Sequence, residues 1–290
     1  EGSSSAEANA YGINVGTLGG SITNSGYIEA EVSAEGSSSA EANAYGINVG
    51  TLASGGSITN SGTIEAEASV YASSSTSFSA EANAYGINLS TLASGGSITN
   101  SGTIEAEARA YDSSSSSYSA TGTAYGIYVG DAAGNIENSG NISADADNNA
   151  HGIYVDATLT ATIENNGTGS SNGIFVGNFT RPMNAEGIFV DTIGDGGLIL
   201  NSGLIYVDAQ AASTSGRAIG INVGMLESGG SITNSGIIKA TAEANSSGSA
   251  AALGITVVTL GGSIANSGEI VASATASSSA EANAYGIRTD

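Results

Sequence analysis

Apolar and polar residues alternate along most of this chain with a period of two. After Gly62 the sequence runs Thr63-Ile64-Glu65-Ala66-Glu67-Ala68-Ser69-Val70, with Ile64, Ala66, Ala68 and Val70 on one side. The same phase returns at Ile104, Ala106, Ala108, at Ile205, Val207, Ala209 and at Ile238, Ala240, Ala242. Successive side chains of a strand point to opposite faces, so this pattern predicts strands with one buried face. The apolar spacing of three and four that marks a helix is missing. A second run, Ala80, Ala82 and Ala84 between Glu81, Asn83 and Tyr85, predicts a returning strand. Each unit is expected to hold two long strands joined by a Ser-rich tip, with short strands at Ile-Asn-Val and Ser-Ile-Thr.

The unit repeats. Asn-Ser-Gly ends at Gly26, Gly62, Gly102, Gly140, Gly203, Gly236 and Gly268, with Asn165-Asn166-Gly167 as a variant, at spacings of 27 to 40 residues. Tandem units of this size predict an all-β, parallel β-solenoid (a β-helix) of about eight flattened coils with Ser-rich loop tips. At ~4.8 Å per coil the stack is ~40 Å long. Residues 1–290 read as one solenoid, with regular repeats over 1–130, irregular coils with an insertion over 131–208, and regular repeats again over 209–290. Ala is a poor strand former. Its place on both inward faces predicts that outgoing and returning strands pack closely, as a thin arm beside a wider end filled by Ile, Val and Leu.

Stacking puts equivalent residues in columns. Asn24, Asn60, Asn100, Asn138, Asn201, Asn234 and Asn266 form one, with Asn165 in the variant coil. Asn tolerates turn conformations and its amide can bond to the next amide along the stack, so the column reads as structural, with a row of ligand-binding amides as the alternative. The Gly two residues later is expected to supply positive φ. Tyr11, Tyr45, Tyr85, Tyr125 and Tyr285 each precede a Gly, and His151 replaces Tyr once. This row reads as stacked rings; the functional alternative is an exposed row that grips sugars. Glu29, Glu65 and Glu105 are expected on one outer face, as are Glu31, Glu67 and Glu107. Like charges at adjacent strands repel. Two reliefs are open, splaying into water or bridging by Ca²⁺, although the Gly-Asp nonapeptide of calcium-binding β-rolls is absent. No other cofactor is implied.

Between residues 131 and 208 an insertion makes Phe175, Phe179, Arg181 and Phe189 candidates for binding, with Pro182 and Met183 nearby; a simple kink is the other reading. Asp131, Asp156, Asp191, Asp195 and Asp208 gather in the same stretch. Some β-helix glycosidases use such carboxylates as acid and base, but the spacing fixes no pair. Nucleophile and phosphate-loop signatures are missing, so catalysis is not expected.

Charge narrows the partners. Among 290 residues, 5 Lys and Arg face 27 Asp and Glu, for a net charge of −22, which repels nucleic acid and anionic lipid. Without Cys there are no disulfides or thiolate metal sites. No run approaches the ~18 apolar residues of a membrane helix, so membrane insertion is not expected. A leader sequence and a C-terminal membrane barrel are not recognisable either, which points to a processed passenger or a subunit delivered by other machinery.

The segments Ser-Ile-Thr-Asn-Ser-Gly-Thr-Ile (57–64) and Ala-Tyr-Gly-Ile-Asn-Val (44–49) resemble the passenger repeats of autotransporter-type and haemagglutinin-like bacterial surface proteins, over nearly the whole chain. The resemblance implies a right-handed parallel β-solenoid at the cell surface, serving as an adhesin or a polymeric layer. Residues Ser3 to Ile13 and Ser277 to Ile287 are the same string, so both ends stop in the same phase of the coil. Matching uncapped ends expose strand edges that head-to-tail addition of copies satisfies. The function expected first is a structural subunit of an extracellular bacterial filament or surface fibre. An adhesin passenger fragment binding host or environmental glycans comes second, and a polysaccharide-processing β-helix third.

Overall fold

A computed structural model describes residues 5–36, 39–72, 79–112, 119–169, 171–177, 183–211, 215–244, 248–277 and 281–289. The Ser-rich tips at 73–78 and 113–118 lie outside the described residues. Every element is a strand, and all pairing is parallel between one coil and the next, which makes the chain a parallel β-solenoid. Each coil contributes to three sheets. A long sheet of nine strands begins with Ser5–Leu18 and ends with Ala282–Thr289. A short sheet of eight strands runs from Ser21–Asn24 to Ser263–Asn266, and a return sheet of eight from Tyr27–Gly36 to Glu269–Ala276.

The alternation seen in the sequence sorts these strands. Ala42 and Ala44 on the long sheet face Ala66, Ala68 and Val70 on the return sheet, and all are fully buried. A methyl fills little space, so the two sheets pack through Ala on both faces. This is the arm. Beyond it Ile47, Val49, Leu52, Ile58 and Ile64 fill a wider end bounded by all three sheets. A buried Ile contributes ~2–3 kcal/mol against ~0.8 for a methyl, so the wide end anchors the coil and the arm extends it.

Two expectations are corrected. Ile-Asn-Val is not a separate short strand: Ser39–Leu52 is one strand of 14 residues that includes both the Ala run and Ile47-Asn48-Val49. Gly46 lets it continue while turning. Tyr45 points out, whereas Gly46 and Ile47 are both buried, so the phase steps by one without breaking the ladder. A Cβ on Gly46 would press on Ile64 Cγ2 and lie 2.6 Å from Gly86 O. Nor does the Gly of Asn-Ser-Gly supply positive φ. Left-handed glycines occur instead in the Ser-Gly-Gly turn, at Gly55 (φ 77°) and Gly95 (φ 80°), where Gly56 N–H donates to Ala53 O at 2.9 Å. Gly62 is needed for a different reason: a Cβ there would strike the carbonyl oxygen of Gly26 and sit 2.7 Å from its nitrogen. That requirement comes from the preceding coil and is invisible within one repeat.

The irregular region keeps the same three sheets but narrows. Return strands shorten from 10 residues at Thr103–Asp112 to 6 at Asn141–Ala146 and 4 at Gly173–Val176, then recover to 8 at Leu204–Ala211.

Gly62→Ala is expected to force a coil out of the stack and lower stability by about 3 kcal/mol or more. Gly26, whose added Cβ meets nothing within 4 Å, is expected to accept Ala at under ~1 kcal/mol. Guanidinium unfolding of the two variants, followed by circular dichroism, separates the cases; equal losses would refute the steric argument.

Candidate functional site

The Asn column is continuous and mostly buried. Asn24 donates through Nδ2 to Asn60 Oδ1 at 2.8 Å, and the same bond links Asn60 to Asn100, Asn100 to Asn138, Asn138 to Asn165, Asn165 to Asn201, Asn201 to Asn234 and Asn234 to Asn266. The second amide hydrogen goes to the next coil's backbone, as from Asn24 to Thr63 O and from Asn60 to Thr103 O, both at 2.9 Å. Gly26 N–H donates to Asn24 Oδ1 at 3.1 Å. The amides are thus spent on one another, and the column leaves no free row for a ligand. Two further ladders, Asn9–Asn43–Asn83 and Asn14–Asn48–Asn88, run on the long sheet. Their recurrence in Ala-Asn-Ala and Ile-Asn was the signal that could have revealed them.

Tyr11, Tyr45, Tyr85 and Tyr125 stack at 4.9 to 5.0 Å with planes within 11° of parallel, and the His151 ring continues the row at 5.0 Å. The faces a sugar ring would use are covered by the neighbouring rings. Tyr285 holds the same register position but stands apart, because Glu186, Ile219 and Leu253 occupy the intervening coils. A second aromatic row, Tyr128, Tyr154 and Phe189, stacks alongside and meets the first edge-on, with Tyr125 and Tyr154 centroids 5.2 Å apart. The turn at each Tyr-Gly-Ile brings the two rows together. Tyr128 and Tyr154 both donate to Asp156, at 3.2 and 3.4 Å.

Beneath this cluster lies Glu186, only 5% exposed. Its Oε1 accepts from Asn222 Nδ2 at 2.7 Å and Arg217 Nη1 at 3.1 Å, and its Oε2 lies 3.2 Å from His151 Nδ1, at ion-pair distance without an aligned hydrogen bond. Burial pushes the carboxyl up, but the His151 ring, the Arg217 guanidinium and the Asn222 amide outweigh it and hold the group below its usual range. Sequence reading took His151 as a Tyr replacement and missed this pairing, since its members belong to three repeats of unequal length.

Glu29, Glu65 and Glu105 are in register, as are Glu31, Glu67 and Glu107, the latter row continuing to Asp145. Tyr27 donates a short hydrogen bond to Glu65, and Arg109 pairs with Glu107. Burial, together with Glu65, Asp145 and Glu67, pushes the Glu105 carboxyl up. Among the described residues no group of three or more His, Cys, Asp or Glu is placed to hold a metal ion, so the rows offer calcium no assembled cage.

Of the four candidates in the insertion, Phe175 and Phe189 are not brought together. Phe179 and Arg181 lie outside the described residues. Phe175 is on the return sheet and Phe189 on the long sheet, within the aromatic cluster. The acidic residues of this region are divided too, Asp156 on the long sheet and Asp208 on the return sheet. No protein-family model, curated protein or solved structure matches the chain.

The two kinds of carboxylate predict opposite responses to pH. Glu186 has a lowered folded pKa, so its contribution is present above the ordinary carboxyl value of ~4.3 and is lost as pH falls through the folded value. Glu186→Ala is expected to cost about 3 kcal/mol at neutral pH, and the melting gap between wild type and Glu186→Gln should close as the pH drops below the ordinary carboxyl range. A gap independent of pH would rule the pairing out. Glu105 has a raised folded pKa, so its charge is a burden at neutral pH. Glu105→Gln is expected to stabilise by ~0.5 kcal/mol there, with the gain vanishing below about pH 4. Calorimetric melts of the variants across this range give the signs.

Proposed function

We propose that the chain is a structural subunit of an extracellular bacterial filament or surface fibre, a shaft extended head to tail by copies of itself. The carrying observation is a set of glycines. Gly50 and Gly62 have no side chain because a Cβ would collide with the preceding coil, at Gly16 O and Gly26 O respectively. Gly16 and Gly26 occupy the same positions in the first described coil, where nothing lies within 4 Å of an added Cβ. The space they keep fits another coil of the same kind.

The amide ladder supports the same reading. Every Asn donates in one direction and accepts from the other, so any coil edge matches the opposite edge of another coil. Asn266 turns its Nδ2 to its own Gly268 O at 3.2 Å, and Asn24 offers Oδ1 on the other side. Placement outside the cell is supported by the resemblance to surface-protein repeats. No helix is long and apolar enough to cross a membrane among the described residues. A glycan-binding adhesin is the second reading, and it draws less support because the Tyr rings cover each other's faces.

Negative-stain microscopy and sedimentation velocity of the 290-residue chain test the proposal. Fibres one coil wide are expected at high concentration. Gly26→Ala is expected to block their growth while leaving the unfolding midpoint unchanged. Monomers at every concentration, or fibres undiminished by Gly26→Ala, would overturn it.

A further inference from the structure

The tyrosines of this chain differ in what surrounds each ring. Tyr27 gives its hydroxyl to the Glu65 carboxylate, but its counterpart in the next coil is Thr63. Tyr71 and Tyr111 stack at 5.0 Å in adjacent coils, yet the Tyr111 hydroxyl accepts from the Arg109 guanidinium, at 3.4 Å. Tyr128 and Tyr154 have both a partner ring and a carboxylate. They are register partners in adjacent coils, and their rings lie 5.6 Å apart with planes 10° from parallel. Both hydroxyls donate to the one carboxylate of Asp156, at 3.2 and 3.4 Å. Converging hydroxyls put the ring carbons ortho to them at the same end of the pair. Asp156 owes its place to a bulge. Four steps along the chain lead from Val155 to Leu159, where three lead from Val129 to Ala132 and from Val190 to Ile193 in the coils on either side. A bulge of this kind re-aims the side chains at it. Asp156 is exposed, so it can exchange protons with water.

We propose that Tyr128 and Tyr154 are a modification site, where a haem peroxidase with hydrogen peroxide, acting as a one-electron oxidant, joins the two rings by an ortho–ortho carbon bond while Asp156 takes the phenolic protons. Each phenol gives one electron to the oxidant and its hydroxyl proton to Asp156. What remains is a phenoxyl radical whose unpaired electron is shared with the ortho carbons. The two radicals pair their electrons in one new carbon–carbon bond. The hydrogen on each joined carbon then leaves as a proton and the oxygens are reprotonated, which restores two phenols. In sum, two tyrosines and one hydrogen peroxide become one dityrosine and two waters. Burial and the Asp156 charge push both phenols up, Tyr154 to about 12, so neither ionises beforehand and each proton must leave with its electron. The hydrogen bonds to Asp156 supply the acceptor for that step. The bond fastens two coils where the solenoid is narrowest, since their return strands are Asn141–Ala146 and Gly173–Val176, of 6 and 4 residues. It lies within one chain, so it stands or falls separately from head-to-tail growth.

The purified chain, treated with a haem peroxidase and hydrogen peroxide at high dilution, tests the site. Coupling between chains is slow under that condition. Digestion at Asp and Glu cuts between the two tyrosines, at Asp131, Glu137 and Asp145. Tandem mass spectrometry should find the peptides of Tyr128 and Tyr154 joined, with the loss of two hydrogens, as the major dityrosine. Tyr154→Phe puts into the column the ring already present there at Phe189, and it should remove this product. Asp156→Asn should slow its formation roughly tenfold or more. Coupling of Tyr71 to Tyr111 should be unchanged in that variant, which also reports that the stack is intact. Dityrosine mainly at Tyr71–Tyr111 or between chains would overturn the proposal. So would unmodified Tyr128 and Tyr154, or a rate of their coupling indifferent to Asp156→Asn.

Discussion

Successive coils hydrogen-bond through their backbones, so each residue meets its counterpart about 4.8 Å away. Every column must therefore tolerate a near-copy of itself at that distance, and the composition of the chain follows from which side chains can. An Asn amide can, because its donor side meets the next acceptor side, at 2.8 Å between Asn60 and Asn100. A Tyr ring can, because rings stack at 4.9 Å, nearly the coil spacing. Gly can where the backbone of the next coil leaves no room, and Ala can wherever two sheets must approach. Cores that pack large side chains in varied shapes are not needed when the same small shape recurs in every coil.

Carboxylates are the side chains least suited to this rule, and the structure relieves them locally. In the row of Glu29, Glu65 and Glu105 the Tyr27 hydroxyl donates a hydrogen bond to Glu65, and after three coils the row gives way to Ser143 and Phe175. In the aromatic row the substitution runs the other way. His151 and Glu186 replace Tyr in consecutive coils, and together with Arg217 they bring both signs of charge into adjacent coils. A like-charged column costs stability at each step, whereas an opposite-charged step inside the cluster is self-compensating.

Much of the fold was legible in the sequence because a period of two is a local signal. Ile64, Ala66 and Ala68 declared their buried face without reference to any other coil. The Ala-on-Ala arm and the Ile-filled end followed from residue size alone. What sequence reading misjudged depends on relations between coils. Gly62 looked like a turn residue because Asn-Ser-Gly favours turns, yet its constraint is the carbonyl of Gly26 in the preceding coil. Ile-Asn-Val looked separate from the Ala run because Gly46 interrupts the alternation, although the backbone ladder passes straight through it. The Glu186 cluster was illegible for a further reason: repeats of unequal length hide which residues fall in register, and the pairing of His151 with Glu186 emerges only once the strands are aligned.

The same between-coil logic gives the stack a direction. Each amide of the Asn column donates toward the following coil and accepts from the preceding one, as from Asn24 to Asn60 and from Asn60 to Asn100. The steric constraint points the opposite way, since the room that Gly62 leaves is taken by the carbonyl of Gly26 in the preceding coil. The two edges of a coil therefore differ, and each accepts only the unlike edge of another coil. Contacts between unlike edges add in one direction and do not close on themselves.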